Sequence, residues 1–408
     1  MPKLSVIICV YNTDIAKFEE CLQSIFNSTY RDFEVVVIDD GSVLDYSSIL
    51  EKYNINYHKT ENAGTLSARL TGIKKSIGQC ICFVDSDDTV SFDYFEAMIN
   101  KADNTNADIV FNDWAFHTDT TRYVCANDST INSDFLFKGD DVLESFFSKG
   151  GAEHSYYVLW NKMYNRTVLE YVVRKIEKLD IGHMVYAEDV LMNYFAFKYA
   201  KVITNVHLGY YFYRVHGDQQ VTVGSKGKLL NHVKSMTRVF DILSFDLSNE
   251  GLFNKYSSYL NLWKRLLCTS HCTMAKAFKD IELREHILKL YGIENYKPYN
   301  NESAYVRHKI LPNNILEIDK VLRDLWSKDY VKIYTKKNGY AYKTIKVIND
   351  LYAKHYILTK DKKNADIIMP YEDIKFKQKI LHNLLVYKVG MLLFPKGSKI
   401  RKFLKKKI

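Results

Sequence analysis

The sequence predicts an α/β fold, a mostly parallel sheet with helices on both faces followed by a mainly helical C-terminal region, and three observations carry that prediction. Apolar runs of strand length at residues 4–10, 33–38 and 80–84 alternate with stretches whose apolar residues recur at helical spacing. Strands that are apolar without interruption are buried on both faces, as in parallel sheets, and a strand–helix repeat of about 30 residues leaves room for the crossover helix that parallel pairing needs. Polar clusters close three of the runs, so one rim of the sheet is polar, and open α/β sheets take their ligands outside the carboxyl ends of the strands.

The run 4–10 closes at Tyr11-Asn12, and Phe18, Cys21, Leu22, Ile25 and Phe26 mark the helix that follows. The second run ends in Asp39-Asp40-Gly41-Ser42. Gly41 permits a tight turn, and either Ser42 or Asp45 is expected to cap the next helix. A shorter strand near 55–58 leads to Asn62-Ala63-Gly64 and a helix carrying Ser67, Ala68, Arg69 and Gly72. The strand beginning at Cys80 ends in Asp85-Ser86-Asp87-Asp88, the stretch around which the chain is organised. Acids gathered at a strand end need a cation or hydrogen-bond donors. An Asp-x-Asp pair offers hard oxygens to a divalent metal, and such a metal can hold a diphosphate. The same triplet is also an ordinary acidic turn, with Asp88 as cap of a helix starting near Phe92. Glu188-Asp189 precedes a helical stretch, where two acids in the first turn satisfy its positive end whatever their chemistry.

At 408 residues there is room for a full α/β domain and a smaller second unit, and 47% hydrophobic and 26% charged residues are ordinary for a globular protein. No stretch approaches the roughly 18 apolar residues that span a bilayer, and the first strand starts too early for a signal peptide, so a cytoplasmic location is expected. Seven scattered cysteines fit a reducing compartment, with Cys80 and Cys82 read as core. Cys268, His271 and Cys272 share a helix face without an evident fourth ligand, so no metal is expected there. Residues 374–408 hold eleven Lys and Arg and no acid, more than the whole net charge of +9, which leaves the body near neutral. That distribution excludes a broad nucleic-acid face and points to a local anionic partner. With Leu381, Leu384, Leu385, Leu392 and Leu393 among its cations, the tail reads as an amphipathic, polybasic segment for an anionic membrane surface, or else a solvated end.

Val10-Tyr11-Asn12, Asp39-Asp40-Gly41-Ser42, Asn62-x-Gly64 with Ala68-Arg69, and Asp85-Ser86-Asp87-Asp88 stand in the order and at the spacing of family 2 glycosyltransferases with the GT-A fold. Trp160-Asn161-Lys162 and Glu188-Asp189 resemble that family's acceptor-side motifs, and the resemblance covers about the first 220 residues. Two departures stand out: Leu70 where many members carry Asn, and Tyr213-Arg214-Val215-His216 in place of the usual Tyr-Arg segment.

The resemblance implies a nucleotide-diphosphate sugar donor, usually a uridine one, and transfer with inversion to a hydroxyl of a glycan or lipid-linked acceptor in bacterial surface polysaccharide synthesis. It implies donor binding by Val10, Tyr11, Asp39, Asp40, Asn62, Arg69, Asp85, Ser86 and Arg214. Mn²⁺ or Mg²⁺ would sit on Asp85 and Asp87, with His216 as a third ligand. Asp189 would be the catalytic base, with Glu188, Trp160, Asn161 and Lys162 on the acceptor side. Each has a plainer reading: Arg69 a solvated helix residue, Trp160 core, His216 structural. The organisation expected is a catalytic domain at 1–225, a helical accessory region at 226–372 suited to acceptor binding or self-association, and the basic tail at 373–408. The competing classes are a catalytically silent sugar-nucleotide-binding or scaffold protein, which would be free to lose Asp85, Asp87 and Asp189, and a nucleotidyltransferase. The latter needs a glycine-rich basic loop where this chain has Val10-Tyr11-Asn12-Thr13.

Overall fold

The structure, a computed structural model, describes residues 1–117, 122–124, 134–150, 154–214, 225–276 and 278–293, and the short stretches 358–359 and 367–368. Met1–Asp113 with Asp128–His308 form one compact unit, and Trp114–Asn127 with Lys309–Ile408 a second. The second is described only where the end of strand β6 (Ile109–His117) pairs with β7 (Arg122–Val124), and where Leu358–Thr359 and Ile367–Ile368 pair antiparallel. The basic tail, His216 and most of the helical accessory region beyond residue 293 lie outside the described residues.

The first unit is built on a parallel quartet. Strand β1 (Leu4–Val10) pairs with β2 (Phe33–Asp39) on one side and β4 (Cys80–Asp85) on the other, and β3 (Asn56–Lys59) extends the sheet beyond β2. The register sets Val10 opposite Asp39 and Cys9 opposite Asp85, so three strands end level at one rim. Every side chain of β1 but Cys9 is buried, as expected for a strand covered on both faces. Helix α1 (Ile15–Phe26) starts where Asp14 accepts the N–H groups of Ala16 and Lys17, and it buries Phe18, Cys21, Leu22 and Ile25. Asp45 takes the Ser47 N–H at 2.9 Å to start the four-residue helix α2 (Ser47–Leu50), whereas the Ser42 hydroxyl turns back to the Asn12 N–H. Helix α3 (Thr65–Lys75) lies so close to β1 that a Cβ at Gly72 would collide with Ile7 Cγ2.

Past β4 the sheet turns antiparallel. β5 (Thr89–Val90) and helix α4 (Tyr94–Thr105) lead to β6 (Ile109–His117), and a three-residue β8 (Leu136–Lys138) and helix α5 (Asp140–Gly150) follow. β9 (Lys162–Asn165) runs antiparallel to both β4 and β6, and β10 (Val202–Arg214) antiparallel to β5 and β8. Asp88 does not cap α4. Its oxygens accept the Tyr211 hydroxyl at 2.6 Å and the Arg214 N–H at 2.7 Å, which ties the acidic turn to β10.

Helices α6 (Arg166–Ile176) and α7 (Glu188–Tyr199) pack over the sheet and pass their apolar faces to α8 (Lys226–Asn249), α9 (Phe253–Lys276) and α10 (Ile281–Tyr291). Trp263 of α9 meets Phe146 and Phe240 edge-on, each at 5.6 Å, so the three C-terminal helices share the core of the first unit. Lys198 of α7 is ion-paired with Asp246 of α8 and with Glu250 at the end of that helix, and the Tyr194 hydroxyl donates to the same Asp246 at 2.6 Å. Cys268 and Cys272 are buried with their sulfurs 3.9 Å apart, and His271 is spent on the Tyr291 hydroxyl at 2.9 Å. Among the described residues no group of His, Cys, Asp or Glu forms a ready metal cage, and no helix is long and apolar enough to cross a membrane.

Candidate active site

The rim where β1, β2 and β4 end level gathers the residues singled out in the sequence. Asp85 is the last residue of β4; its backbone N–H donates to the Tyr211 hydroxyl at 3.0 Å, and its side chain is 37% exposed. Burial raises the Asp85 carboxyl above its ordinary range, Arg69 pulls it down, and Asp87 and Glu188 push it further up. Burial drives Asp88 well up too, followed by Asp87 and Asp85. Three carboxyls at one strand end therefore repel one another, and a cation would relieve the strain. Asp85 and Asp87 are the partly exposed members, whereas both oxygens of Asp88 are committed to the protein. The donor set fits a hard divalent ion held by two side chains, with its remaining ligands coming from a diphosphate or water.

On the β2 side, Asp39 is buried with its oxygens on the Ser42 N–H and the Tyr57 hydroxyl, at 2.7 and 2.6 Å. Asp40 accepts the N–H groups of Ala63 and Gly64 at 2.8 and 3.0 Å, which folds the Asn62 loop against the rim. Gly64 takes φ +90°, and a Cβ there would meet the Met184 carbonyl at 2.8 Å, so this position demands glycine twice over. Tyr11, 52% exposed, stands on the same rim, and Val10 beneath it is wholly buried. Ser86 is locked to Thr13 by a 2.6 Å hydroxyl–hydroxyl bond.

Arg69 is not a solvated helix residue. Only 6% exposed, it donates to Glu188 Oε1 at 2.7 Å and to Asp85 Oδ1 at 3.3 Å. One guanidinium fork thus joins the strand-end acids to the acid pair at the start of α7, a geometry suited to Arg rather than Lys. Asp189 sits beside that pair, partly exposed, its Oδ1 accepting the Val190 N–H at 2.8 Å. Burial and then the neighbouring Glu188 carboxylate push the Asp189 carboxyl up to about 7, against the pull of Arg69. A carboxyl with that value can hold or release a proton at neutral pH, as a general base requires.

Three expected contacts are placed differently. Asn161 and Lys162 are wholly buried; the Lys162 ammonium is on the carbonyls of Ser155 and Val158 and on Asn161 Oδ1, and lies 4.5 Å over the Phe111 ring. Neither side chain reaches solvent. Arg214 is buried, its guanidinium on the Asp87 carbonyl and the Glu20 carboxylate, so it secures the acidic turn. Trp160, 4% exposed, stacks on Tyr211 at 4.6 Å and Tyr213 at 5.5 Å. Tyr211, unremarked in the sequence, links these features: its ring supports Trp160 and its hydroxyl bridges Asp88 and the Asp85 N–H. The signal for it was the unbroken run of four aromatic residues at 210–213.

Residues 5–171 match the model of the family described as glycosyl transferase family 2. The chain is 28% identical over 221 residues to a putative glycosyltransferase, EpsH, of Bacillus subtilis, covering 53% of this chain and 61% of that one. It is 24% identical over 371 residues to the glycosyltransferase GlyA of Streptococcus pneumoniae, covering 84% and 49%. The chain thus spans about half to three-fifths of the length of these two curated relatives. Residues 1–349 of TarS from S. aureus, solved in complex with UDP-GlcNAc, overlap 71% of this chain and 91% of that one at a TM-score of 0.45 and 18% identity, too loosely to bear on the site. The part of the chain that carries this rim, residues 5–171, is thus similar to glycosyltransferase family 2.

Proposed function

We propose that the chain is an inverting, metal-dependent glycosyltransferase that moves a sugar from a nucleotide-diphosphate donor, of the uridine class, to a hydroxyl of a glycan or lipid-linked acceptor in bacterial surface polysaccharide synthesis. The observation that carries this reading is the Arg69 bridge, which holds the strand-end acid Asp85 and the helix-start acid Glu188 on one cation, with Asp189 alongside. That arrangement supports a two-sided site, with the diphosphate at the strand end and the acceptor hydroxyl at α7.

Asp189 would take the acceptor proton as that oxygen forms its bond to the anomeric carbon from the face opposite the leaving group. The bond from the anomeric carbon to the diphosphate oxygen breaks, and the electron pair leaves with the nucleotide diphosphate. Mn²⁺ or Mg²⁺ on Asp85 and Asp87 would offset the negative charge of the departing diphosphate. Tyr11 and the loop held by Asp40 offer a flat face and polar groups for the base. Glu188, held by Arg69 beside Asp189, would position the acceptor. The tail at 373–408 would bring the enzyme to an anionic leaflet, a reading that rests on its sequence.

The test is calorimetry with uridine diphosphate. Binding is expected to weaken at least about tenfold with a chelator, to recover with Mn²⁺ or Mg²⁺, and to lose its metal dependence in Asp87→Asn. Equal affinity with and without metal in the wild type overturns the metal assignment.

A further inference from the structure

Eight residues between α6 and α7, 180–187, have no regular structure, yet Ile181, Met184 and Ala187 are buried. Two of the eight stand in the left-handed region, Gly182 at φ +64° and Ala187 at φ +67°. For alanine that conformation is strained, so its surroundings must hold it. Ala187 immediately precedes Glu188 and Asp189, and its carbonyl accepts the Leu191 N–H at 3.2 Å. The course of this segment therefore decides where the acid pair stands.

Two sets of contacts fix that course. On the donor side, the Leu66 N–H donates to the Met184 carbonyl at 3.2 Å, and His183 Nε2 lies 3.1 Å from Asn62 Oδ1. On the other side the contacts come from α8, beyond the last residue resembling the family's motifs. The Arg238 guanidinium donates to the Ile181 carbonyl at 2.6 Å and also to that of Asp180. One turn and a half earlier, the His232 ring lies face to face on Tyr186, centroids 3.9 Å apart and planes within 5°. Burial, then Lys228, lowers the His232 imidazole to about 4, so near neutrality it is an uncharged ring that stacks as an aromatic.

We propose that Arg238 and His232 of α8 are positioning residues for transfer, clamping segment 180–187 onto the donor loop so that Asp189 stands within reach of the reacting hydroxyl. Neither touches substrate in this arrangement. The inference rests on the reading of Asp189 as the base, and it makes α8 part of the reaction apparatus. A neutral surface cap would not need two contacts aimed at the same eight residues from one helix.

The test uses the full chain with Arg238→Ala, His232→Ala and His232→Phe, the last keeping a flat ring. Hydrogen exchange is read for amides 182–187, affinity for uridine diphosphate by calorimetry, and turnover as UDP released from whichever UDP-hexose or UDP-N-acetylhexosamine the wild type cleaves fastest. Arg238→Ala is expected to speed exchange in 182–187 about tenfold or more and to lower turnover about 10- to 100-fold, with uridine diphosphate affinity within about twofold, because a small misplacement of a reacting group costs rate before binding. His232→Ala should do the same to a lesser degree, and His232→Phe should restore turnover to within about threefold. Exchange left unchanged in 182–187, turnover kept within threefold in both alanine variants, or a joint loss of affinity and exchange protection across the unit overturns the inference. Asp189→Asn separates the two levels: if it is inactive while both alanine variants keep turnover, only the clamp is wrong; if it is active, the base assignment fails and takes the clamp with it.

Discussion

Asp189→Asn should inactivate the protein and stabilise it, and the stabilisation should depend on pH in a definite way. The folded chain holds this carboxyl at about 7, against 3.8 when free. At ~1.36 kcal/mol per pH unit, keeping Asp189 ionised in the fold costs ~4 kcal/mol, reduced to about 2 kcal/mol by solvent screening of a partly exposed carboxylate. The sign follows from proton uptake. Between pH 3.8 and about 7 the unfolded chain has released this proton and the folded one still holds it, so rising pH favours unfolding. Wild type therefore loses this contribution as pH climbs through that window, and above about 7 the loss is complete. Asparagine has no proton to lose. Guanidinium melts at several pH values between 4 and 9 should show the two proteins nearly equal at the acid end, then a gap in favour of the variant that widens to neutrality and levels off. A gap independent of pH, or one that narrows as pH rises, refutes the argument. The wild-type rate profile should fall on the acid side with a midpoint near 7, leaving about a tenth of the activity one pH unit below it.

Glu188→Gln removes the carboxylate that raises Asp189 and leaves Arg69 on Asp85 alone, so the acid limb of the rate profile should move below 7; a limb that stays put or rises excludes the pairing. Truncation after residue 395 should abolish sedimentation with vesicles rich in anionic lipid at low salt, since each cation near the surface contributes about 1 kcal/mol, while uridine diphosphate affinity stays unchanged. Full-length protein that stays in the supernatant under those conditions makes the tail a solvated end.

The parallel half of the fold is legible in the sequence because its strands are short, mostly apolar and punctuated by polar turns, so β1, β2 and β4 fall within a residue of the expected runs. The antiparallel half is less so. β6 carries Asn112 and Asp113 among its apolar residues, and β8 has only three residues, too few to show a period. The identity of the acids at the rim could be read in advance, but their partners could not. Helical spacing puts Arg69 on α3, and nothing local says that Glu188, 119 positions away, will meet it. Likewise the loop amides on Asp40 and the Tyr211 hydroxyl on Asp88 are tertiary contacts. Burial explains the misplaced contacts: Lys162 and Arg214 are polar by type, and only the fold shows that each is spent on protein groups.

The fastening of α7 to α8 has a consequence for how the protein is made. A chain emerging from the ribosome carries all of Asp85, Arg69, Glu188 and Asp189 by residue 189, yet Tyr194 and Lys198 of α7 find Asp246 and Glu250 only some fifty residues later. At a synthesis rate of roughly 5–20 residues per second, the helix bearing the acid pair waits several seconds with its partners unmade. During that interval the apolar side of α7 that α8 will cover is open to wrong contacts. A nascent chain stalled before residue 250 should therefore engage chaperones that one stalled beyond α10 no longer needs.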